Sequence, residues 1–207
     1  MVSIRTIGRL SLYRRTLQRV LAEGRPSLFS HQLAAESGVT AAQVRRDLMA
    51  IGYQGSPSRG YDVAALIGSI AEFLDAPEGQ GVALVGVGNL GRAIVAYVAK
   101  VRPTLHVLAA FDRDPEKVGR VIAGCRCHGM DELAAVSREL RLTVGILTVP
   151  PSAAQDAADR LVGAGFRGIL NFAPVTLRVP GHVYVEDLDL TMSLEKVAYL
   201  GRRYGCA

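Results

Sequence analysis

Gly86-Val87-Gly88-Asn89-Leu90-Gly91 forms a G-x-G-x-x-G run, and its three glycines have separate uses. Gly86 permits a tight turn, Gly88 lets the backbone approach a pyrophosphate, and Gly91 lets a helix pack closely on a strand. The run follows the apolar Val82-Ala83-Leu84-Val85 and leads into Arg92-Ala93-Ile94-Val95-Ala96-Tyr97-Val98. That is buried strand, glycine turn, then helix, the context the motif requires. The free N–H groups and dipole at the start of such a helix favour phosphate. Asp112 closes a second strand-like run, Leu105 to Phe111, and lies 21 positions beyond Gly91. A carboxylate there accepts hydrogen bonds from both ribose hydroxyls and repels a 2′-phosphate, which favours NAD+/NADH over NADP(H). Arg113, its neighbour, is of the type that accommodates that phosphate. A ligand-free glycine turn and an N-cap role for Asp112 are the alternative readings.

A second set of residues suits different chemistry. Thr40-Ala41-Ala42-Gln43 has the form of a capping box opening a helix to about Ile51. On that helix Val44, Leu48 and Ile51 share one face, while Gln43 and Arg46 lie a turn apart on the other, with Arg45 nearby. Glutamine pairs bidentately with adenine and arginine with guanine in a major groove, and neighbouring arginines hold phosphates. Asp47 either positions an arginine or is a local ion-pair partner. Thr40, Gln43, Arg45 and Arg46 are thus candidate DNA contacts, against a solvated helix face. After Gly52, the turn-rich stretch Tyr53 to Tyr61 has the composition of a β-hairpin wing, and Arg59 in it reaches for a phosphate or minor groove. An interdomain loop is the alternative.

The elements that must position these residues are legible from periodicity. Leu10, Leu17 and Leu21, with Tyr13 and Val20, define a first amphipathic helix ended by Gly24-Arg25-Pro26. Ser30 is placed to cap a short second helix through Ser37, with Gly38 in the turn after it. Two short helices joined by a glycine turn make a helix-turn-helix. Val63 to Leu74 reads as a linking helix and 75–80 as a hinge. Beyond Asp112, Asp114 to Gly119 starts a short helix, and Asp131 to Leu140 forms another. Thr143 to Val149 is a buried strand, and Pro150-Pro151-Ser152 opens a helix to about Ala164. Ile169 to Phe172 is a further strand. In a doubly wound parallel sheet Thr148, Val149, Pro150, Asn171, Phe172, Ala173 and Pro174 then fall at carboxyl strand ends, where ligands bind. There Asn171 can bond a carboxamide or ribose and Phe172 can wall a nicotinamide pocket, with strand-end packing as the alternative. Cys125-Arg126-Cys127-His128 is too closely spaced to close a tetrahedral metal site without a second cluster, and Cys206 is remote. It reads as a surface loop with incidental thiols, and no metal is expected.

The chain has 207 residues, 49% of them hydrophobic, enough for one or two domains. Charge is uneven. Residues 1–61 hold nine arginines, no lysine and three acids, a net +6, whereas the remainder carries 15 basic and 16 acidic groups. A basic module attached to a nearly neutral one points to a polyanion such as nucleic acid. Arg5, Arg9, Arg14 and Arg15 interrupt any signal-peptide core, no apolar run has membrane length, and the cysteine count is odd. Together these predict a cytoplasmic protein with no membrane partner. A small dehydrogenase would need a substrate site and an acid/base beside the cofactor. Only 33 residues follow Pro174 and no Tyr-x-x-x-Lys pair occurs, so neither catalytic residues nor a small-molecule substrate are expected.

Nearly the whole chain resembles the Rex family of redox-sensing transcriptional repressors. The matching stretches are Val44-Arg45-Arg46-Asp47-Leu48, Gly86 to Gly91, Phe111-Asp112, Asp114 to Gly119, Leu147-Thr148-Val149-Pro150, and Ile169 to Pro174. The resemblance implies an α/β protein: an N-terminal winged helix-turn-helix domain with a linking helix (1–75), a C-terminal Rossmann doubly wound parallel sheet (81–188), and a C-terminal domain-swapped helix (189–207). It implies a homodimer on a palindromic double-stranded operator, bound when apo or carrying NAD+ and released by NADH, which is sensed and not consumed. By motif position, Arg15, Tyr97 and Asp189 match the polar switch between domains. Pro57-Ser58 stands where the family usually has Arg-Gly at the wing tip, and Met49-Ala50-Ile51 where it is usually more polar and aromatic.

Overall fold

The protein was analysed as a computed structural model that describes residues 2–102, 104–122 and 124–204, so Cys206 lies outside the described residues. The chain forms two compact units, Met1–Glu78 and Gly79–Ala207. The first contains α1 (Ile4–Ala22), β1 (Ser27–Leu28), α2 (Ser30–Ser37), α3 (Ala41–Ala50), β2 (Tyr61–Asp62) and α4 (Val63–Leu74). Its core forms where Leu10, Tyr13 and Leu17 of α1 meet Leu33 of α2, Leu48 of α3 and Ile70 of α4. Leu21, expected to face inward, is exposed. At about 100° per residue it turns away from the stripe that Val20 completes.

Caps place the two short helices. Thr40 Oγ1 accepts from Gln43 N–H at 3.1 Å and so starts α3. The reciprocal arm of the expected box is not made, because the Gln43 side chain is engaged elsewhere. The cap of α2 is Phe29, not Ser30, and Gln32 Oε1 accepts from the Phe29 N–H at 2.7 Å. Gly38 ends α2 at φ 66°, the left-handed conformation that glycine adopts without a Cβ penalty. The expected wing contracts to a small device. β1 pairs antiparallel with β2, and just before β2 a bridge from Ser56 to Gly60 closes the tip Pro57-Ser58-Arg59. α4 is capped by Asp62, which accepts from Ala65 N–H at 2.8 Å.

The second unit contains β3 (Gln80–Val85), α5 (Asn89–Val101), β4 (Leu105–Asp112), β5 (Val121–Ile122), β6 (Cys125–Gly129), α6 (Leu133–Glu139), β7 (Val144–Leu147), α7 (Pro151–Gly163), β8 (Gly168–Asn171), β9 (Tyr184–Asp187) and α8 (Leu190–Tyr204). The sheet order is β5-β6-β4-β3-β7-β8-β9. All pairs are parallel except β5 with β6. From β3 the chain runs outward through β4 to β6, then returns beside β3 as β7 and runs outward the other way. The reversal leaves a crevice at the carboxyl ends of β3 and β7.

Two expectations fail here, and one strand was not expected at all. Residues 114–119 form turns, not a helix. Asp114 Oδ1 accepts from Glu116 N–H at 3.0 Å, and Gly119 takes φ 83°. Side-chain-to-backbone bonds of this kind compete with helix. Cys125-Arg126-Cys127-His128 is not a surface loop but β6, with both thiols buried in the core. The alternation Cys, Arg, Cys, His was a period-2 signal, and a free cysteine packs as a small hydrophobe. β9 was not foreseen, although Val183-Tyr184-Val185 carries strand propensity. Finally, α8 forms where expected, yet none of its residues is buried.

Candidate functional site

A cavity of about 760 Å3 opens at the carboxyl ends of β3 and β7, within the ~300–1,000 Å3 usual for a small-molecule or cofactor site. Gly86, Gly88, Asp112, Arg113, Thr148, Val149 and Pro150 all line it. Gly86 sits at φ 95°. A Cβ there would lie 2.7 Å from the Thr148 carbonyl oxygen. Thr148 in turn braces the loop. Its Oγ1 donates to Gly86 O at 2.6 Å, and its N–H donates to Val85 O at 2.9 Å. A Cβ on Gly91 would overlap the Gly86 carbonyl oxygen, so this glycine fixes how closely α5 approaches β3. A Cβ on Gly88 would meet nothing within 4 Å. Gly88 caps α5 without any side-chain hydrogen bond, so the open ground beside it faces the positive end of a helix dipole. A pyrophosphate fits that ground, and the glycines leave it clear.

The remaining loop residues serve differently. Val87 packs its side chain into the core, and Leu90 is exposed. Asn89 Oδ1 accepts from Arg92 Nη2 at 2.6 Å. None of the three lines the cavity.

Asp112 is largely buried at the end of β4. Its Oδ2 accepts from Val87 N–H at 2.7 Å and Lys117 Nζ at 3.1 Å, and its Oδ1 from Asp114 N–H at 3.0 Å. Burial pushes this carboxyl up, but the backbone N–H donors and the Lys117 ammonium outweigh it and hold it below the ordinary carboxylate range. Three of about four acceptor positions are thus used within the protein. One ribose hydroxyl can be met without rearrangement, rather than the two expected. Lys117 lines the same cavity as Asp112, and sequence reasoning missed it. A lysine five positions on was the signal.

The four residues at the end of β8 do not join the cavity. Asn171 is fully buried. Its Nδ2 donates to Val175 O at 2.9 Å and to Asp187 Oδ1 at 2.7 Å, while its Oδ1 accepts from Ala173 N–H at 3.0 Å. It ties β8 to β9 instead of offering a free amide. Phe172 packs on the core face shared with Val82 and Leu84, Ala173 enters the opposite face, and Pro174 is exposed.

In the N-terminal unit α3 presents an exposed polar and basic face. Arg45, Arg46 and Thr40 are exposed, Gln43 is half-buried, and Arg59 is exposed at the wing tip. Arg45 Nη1 donates to Ser30 Oγ at 3.1 Å, and Arg46 Nη2 to Gln43 Oε1 at 2.9 Å. Gln43 Nε2 donates to Asp47 Oδ1 at 2.9 Å. Asp47, only 2% exposed, does hold an arginine, but it is Arg9 of α1. Arg9 Nε and Nη2 donate to Oδ2 and Oδ1 at 2.6 and 2.7 Å, and Tyr13 OH donates to Oδ2 at 2.9 Å. Burial and the bond to Asp47 push the Tyr13 hydroxyl well up, so it stays a donor at neutral pH.

Of the three expected switch residues, Arg15 is exposed on α1 and Tyr97 is exposed on α5. Asp189 caps α8, its Oδ1 accepting from Met192 N–H at 2.8 Å. The buried neighbour of Arg15, Arg14, pairs with Asp75 at 2.9 Å. Among the described residues no group of three or more His, Cys, Asp or Glu is arranged to hold a metal ion, and no helix is long and apolar enough to cross a membrane.

A winged helix-turn-helix unit followed by a Rossmann unit with a dinucleotide-type cleft defines a two-part transcription regulator. Comparisons agree with each half. Residues 1–48 match the family described as "Putative DNA-binding protein N-terminus", and residues 78–175 match the CoA binding domain family. The chain is 42% identical to the redox-sensing transcriptional repressor Rex of Syntrophobacter fumaroxidans, over 96% of this chain and 95% of that one. It is 40% identical to Rex of Carboxydothermus hydrogenoformans over the same shares. Among solved structures it is similar to RSP, a Rex-family repressor, in complex with β-NAD+ and operator DNA. That similarity has a TM-score of 0.90 at 32% identity, covering 100% of this chain and 95% of that one. It is also similar to RSP in complex with β-NADH, with a TM-score of 0.86. This chain belongs to the Rex family of redox-sensing transcriptional repressors.

Proposed function

We propose that the chain is a cytoplasmic homodimer that binds a palindromic operator when apo or carrying NAD+ and releases it when NADH binds. The observation that carries this is one chain holding both a glycine-loop cleft with an acid at the end of β4 and an arginine-bearing helix beside a wing. RSP, in the same family, has been captured with NAD+ on operator DNA and with NADH. We assign 1–75 to DNA binding, 81–188 to the nucleotide and 189–207 to exchange with the partner subunit.

The residues divide the work by chemistry. Gly86, Gly88 and the N-terminus of α5 hold the pyrophosphate, Asp112 a ribose hydroxyl, and Val149 and Pro150 supply apolar wall. The bound nucleotide supplies a nicotinamide ring that is cationic in NAD+ and neutral in NADH. An apolar dimer cleft disfavours the cation unless an anion partners it, and Asp189, with Arg15 and Tyr97, couples that difference to dimer closure. Driving a two-state dimer from 1:99 to 99:1 takes roughly 5.5 kcal/mol of differential binding. Two nucleotide sites sharing it need about 2.7 kcal/mol each, close to a 100-fold preference per site. Titrating preformed operator complexes with each nucleotide tests this. NADH should release the DNA at concentrations where NAD+ does not, and equal displacement by both overturns the switch.

A further inference from the structure

We propose that Arg9, Tyr13 and Asp47 form a buried positioning node that presets base readout by α3, acting through Gln43 on Arg46. The inference rests on the reading of α3 as the operator-contacting helix and names how its side chains are aimed.

The four hydrogen bonds to Asp47 fill its carboxylate, two from Arg9, one from Tyr13 and one from Gln43. A carboxylate can only accept, so the Gln43 amide must turn its nitrogen towards Asp47. Its oxygen then faces Arg46, which can only donate, and that bond is made at 2.9 Å. The orientation of Gln43 is therefore dictated from beneath the helix, by groups on α1. One Nε2 hydrogen and one Oε1 lone pair stay available for a base edge. Arg46 keeps four of its five N–H donors. An arginine on an exposed helix face ordinarily samples many rotamers, and immobilising it on binding costs side-chain entropy. Here much of that ordering is present before DNA arrives. Tyr13 is buried in the core and Asp47 nearly so, so neither touches a base. Each is a positioning residue.

The test uses the full chain and two duplexes. One is selected by the wild-type protein from a random-sequence pool, and the other is a scrambled duplex of the same length and composition. Tyr13→Phe keeps the ring in the core and removes one bond to Asp47. Arg9→Lys keeps the positive charge but loses the two-pronged grip, and serves equally if the phenylalanine variant does not fold. Each should weaken the selected duplex about tenfold, ~1.4 kcal/mol. Affinity for the scrambled duplex, its salt dependence and NADH binding should be unchanged. In a Gln43→Ala/Arg46→Ala background the same substitutions should add nothing further, because the node acts through those two side chains. A node that only stabilises the fold would give losses that persist in the Gln43→Ala/Arg46→Ala background, or fall equally on both duplexes. Either result overturns the proposal, as does an unaltered preference. Failure of the wild-type protein to enrich any sequence would instead remove the DNA-reading role of α3 itself, and the node with it.

Discussion

At Gly91 a methyl group would overlap the carbonyl oxygen of Gly86 and stand 2.8 Å from Thr148 Oγ1, whereas at Gly88 it would stand in open space with an extended backbone. The two glycines are thus required for different reasons, and substitution separates them. Gly91→Ala should lower stability by roughly 1–3 kcal/mol, the usual cost of overpacking, and weaken NADH binding through the distorted loop. Gly88→Ala should leave thermal unfolding unchanged yet weaken NADH at least tenfold, since its methyl occupies the ground reserved for the pyrophosphate. Thermal melts alongside NADH fluorescence titrations check both. A Gly88→Ala protein that binds NADH normally would place the pyrophosphate elsewhere. The motif spacing suggested the roles of these glycines, while the geometry assigned the cause. Asn171 shows the opposite outcome. Its place at a strand end was correctly read, but one chain position cannot say whether an amide turns into the crevice or towards a neighbouring strand.

At the scale of elements, α3 and α1 are joined by an ion pair whose acid is buried and whose arginine is partly exposed. Burial pushes Asp47 up, but the bonds from Arg9, Tyr13 and Gln43 and the Arg9 charge prevail, and its pKa is lowered in the folded protein. A group depressed on folding contributes stability that is fully present above its unfolded value, about 3.9. That contribution is lost as pH falls through the folded value. Asp47→Asn should therefore lower stability at neutral pH by about 1–3 kcal/mol, from donors left without an acceptor. The deficit should start to shrink as pH falls below about 3.9, where the unfolded chain's carboxyl takes up a proton that the folded carboxyl still resists. Chemical denaturation at pH 7 and pH 3 measures it, and a deficit independent of pH would remove the ionised carboxylate from the account. The helices of this unit were legible from apolar spacing, with Thr40 correctly placed as the cap of α3 and the cap of α2 misplaced by one residue. The strands were less so. β6 hid behind cysteines, and β9, although Pro180-Gly181 marks a turn just before it, is only four residues long.

At the scale of the whole molecule, α8 is an amphipathic helix with Leu190, Leu194, Val197 and Tyr204 exposed. A lone fifteen-residue helix is marginal in water, and apolar surface of this kind marks an interface. Deleting residues 189–207 should convert the proposed homodimer to monomers in sedimentation experiments. It should also weaken operator binding by about 100-fold or more, the gain lost when two half-site readers are no longer linked. A truncated chain that stays dimeric would assign the interface to another surface.

By itself the sequence determined the helices of the first unit, the strand–glycine loop–helix start of the second with its acid, the basic face of α3 and the amphipathic last helix. All of these depend on local spacing and composition. Only the tertiary structure decided which polar groups remain available. Asp112 gives most of its acceptor capacity to Val87, Asp114 and Lys117, Asn171 is consumed by β9, and Asp47 reaches back to α1 for Arg9 and Tyr13. Hydrogen-bonding capacity is finite, and the partners of these three side chains lie as far as 38 residues away along the chain. Their competition is settled only when the elements pack.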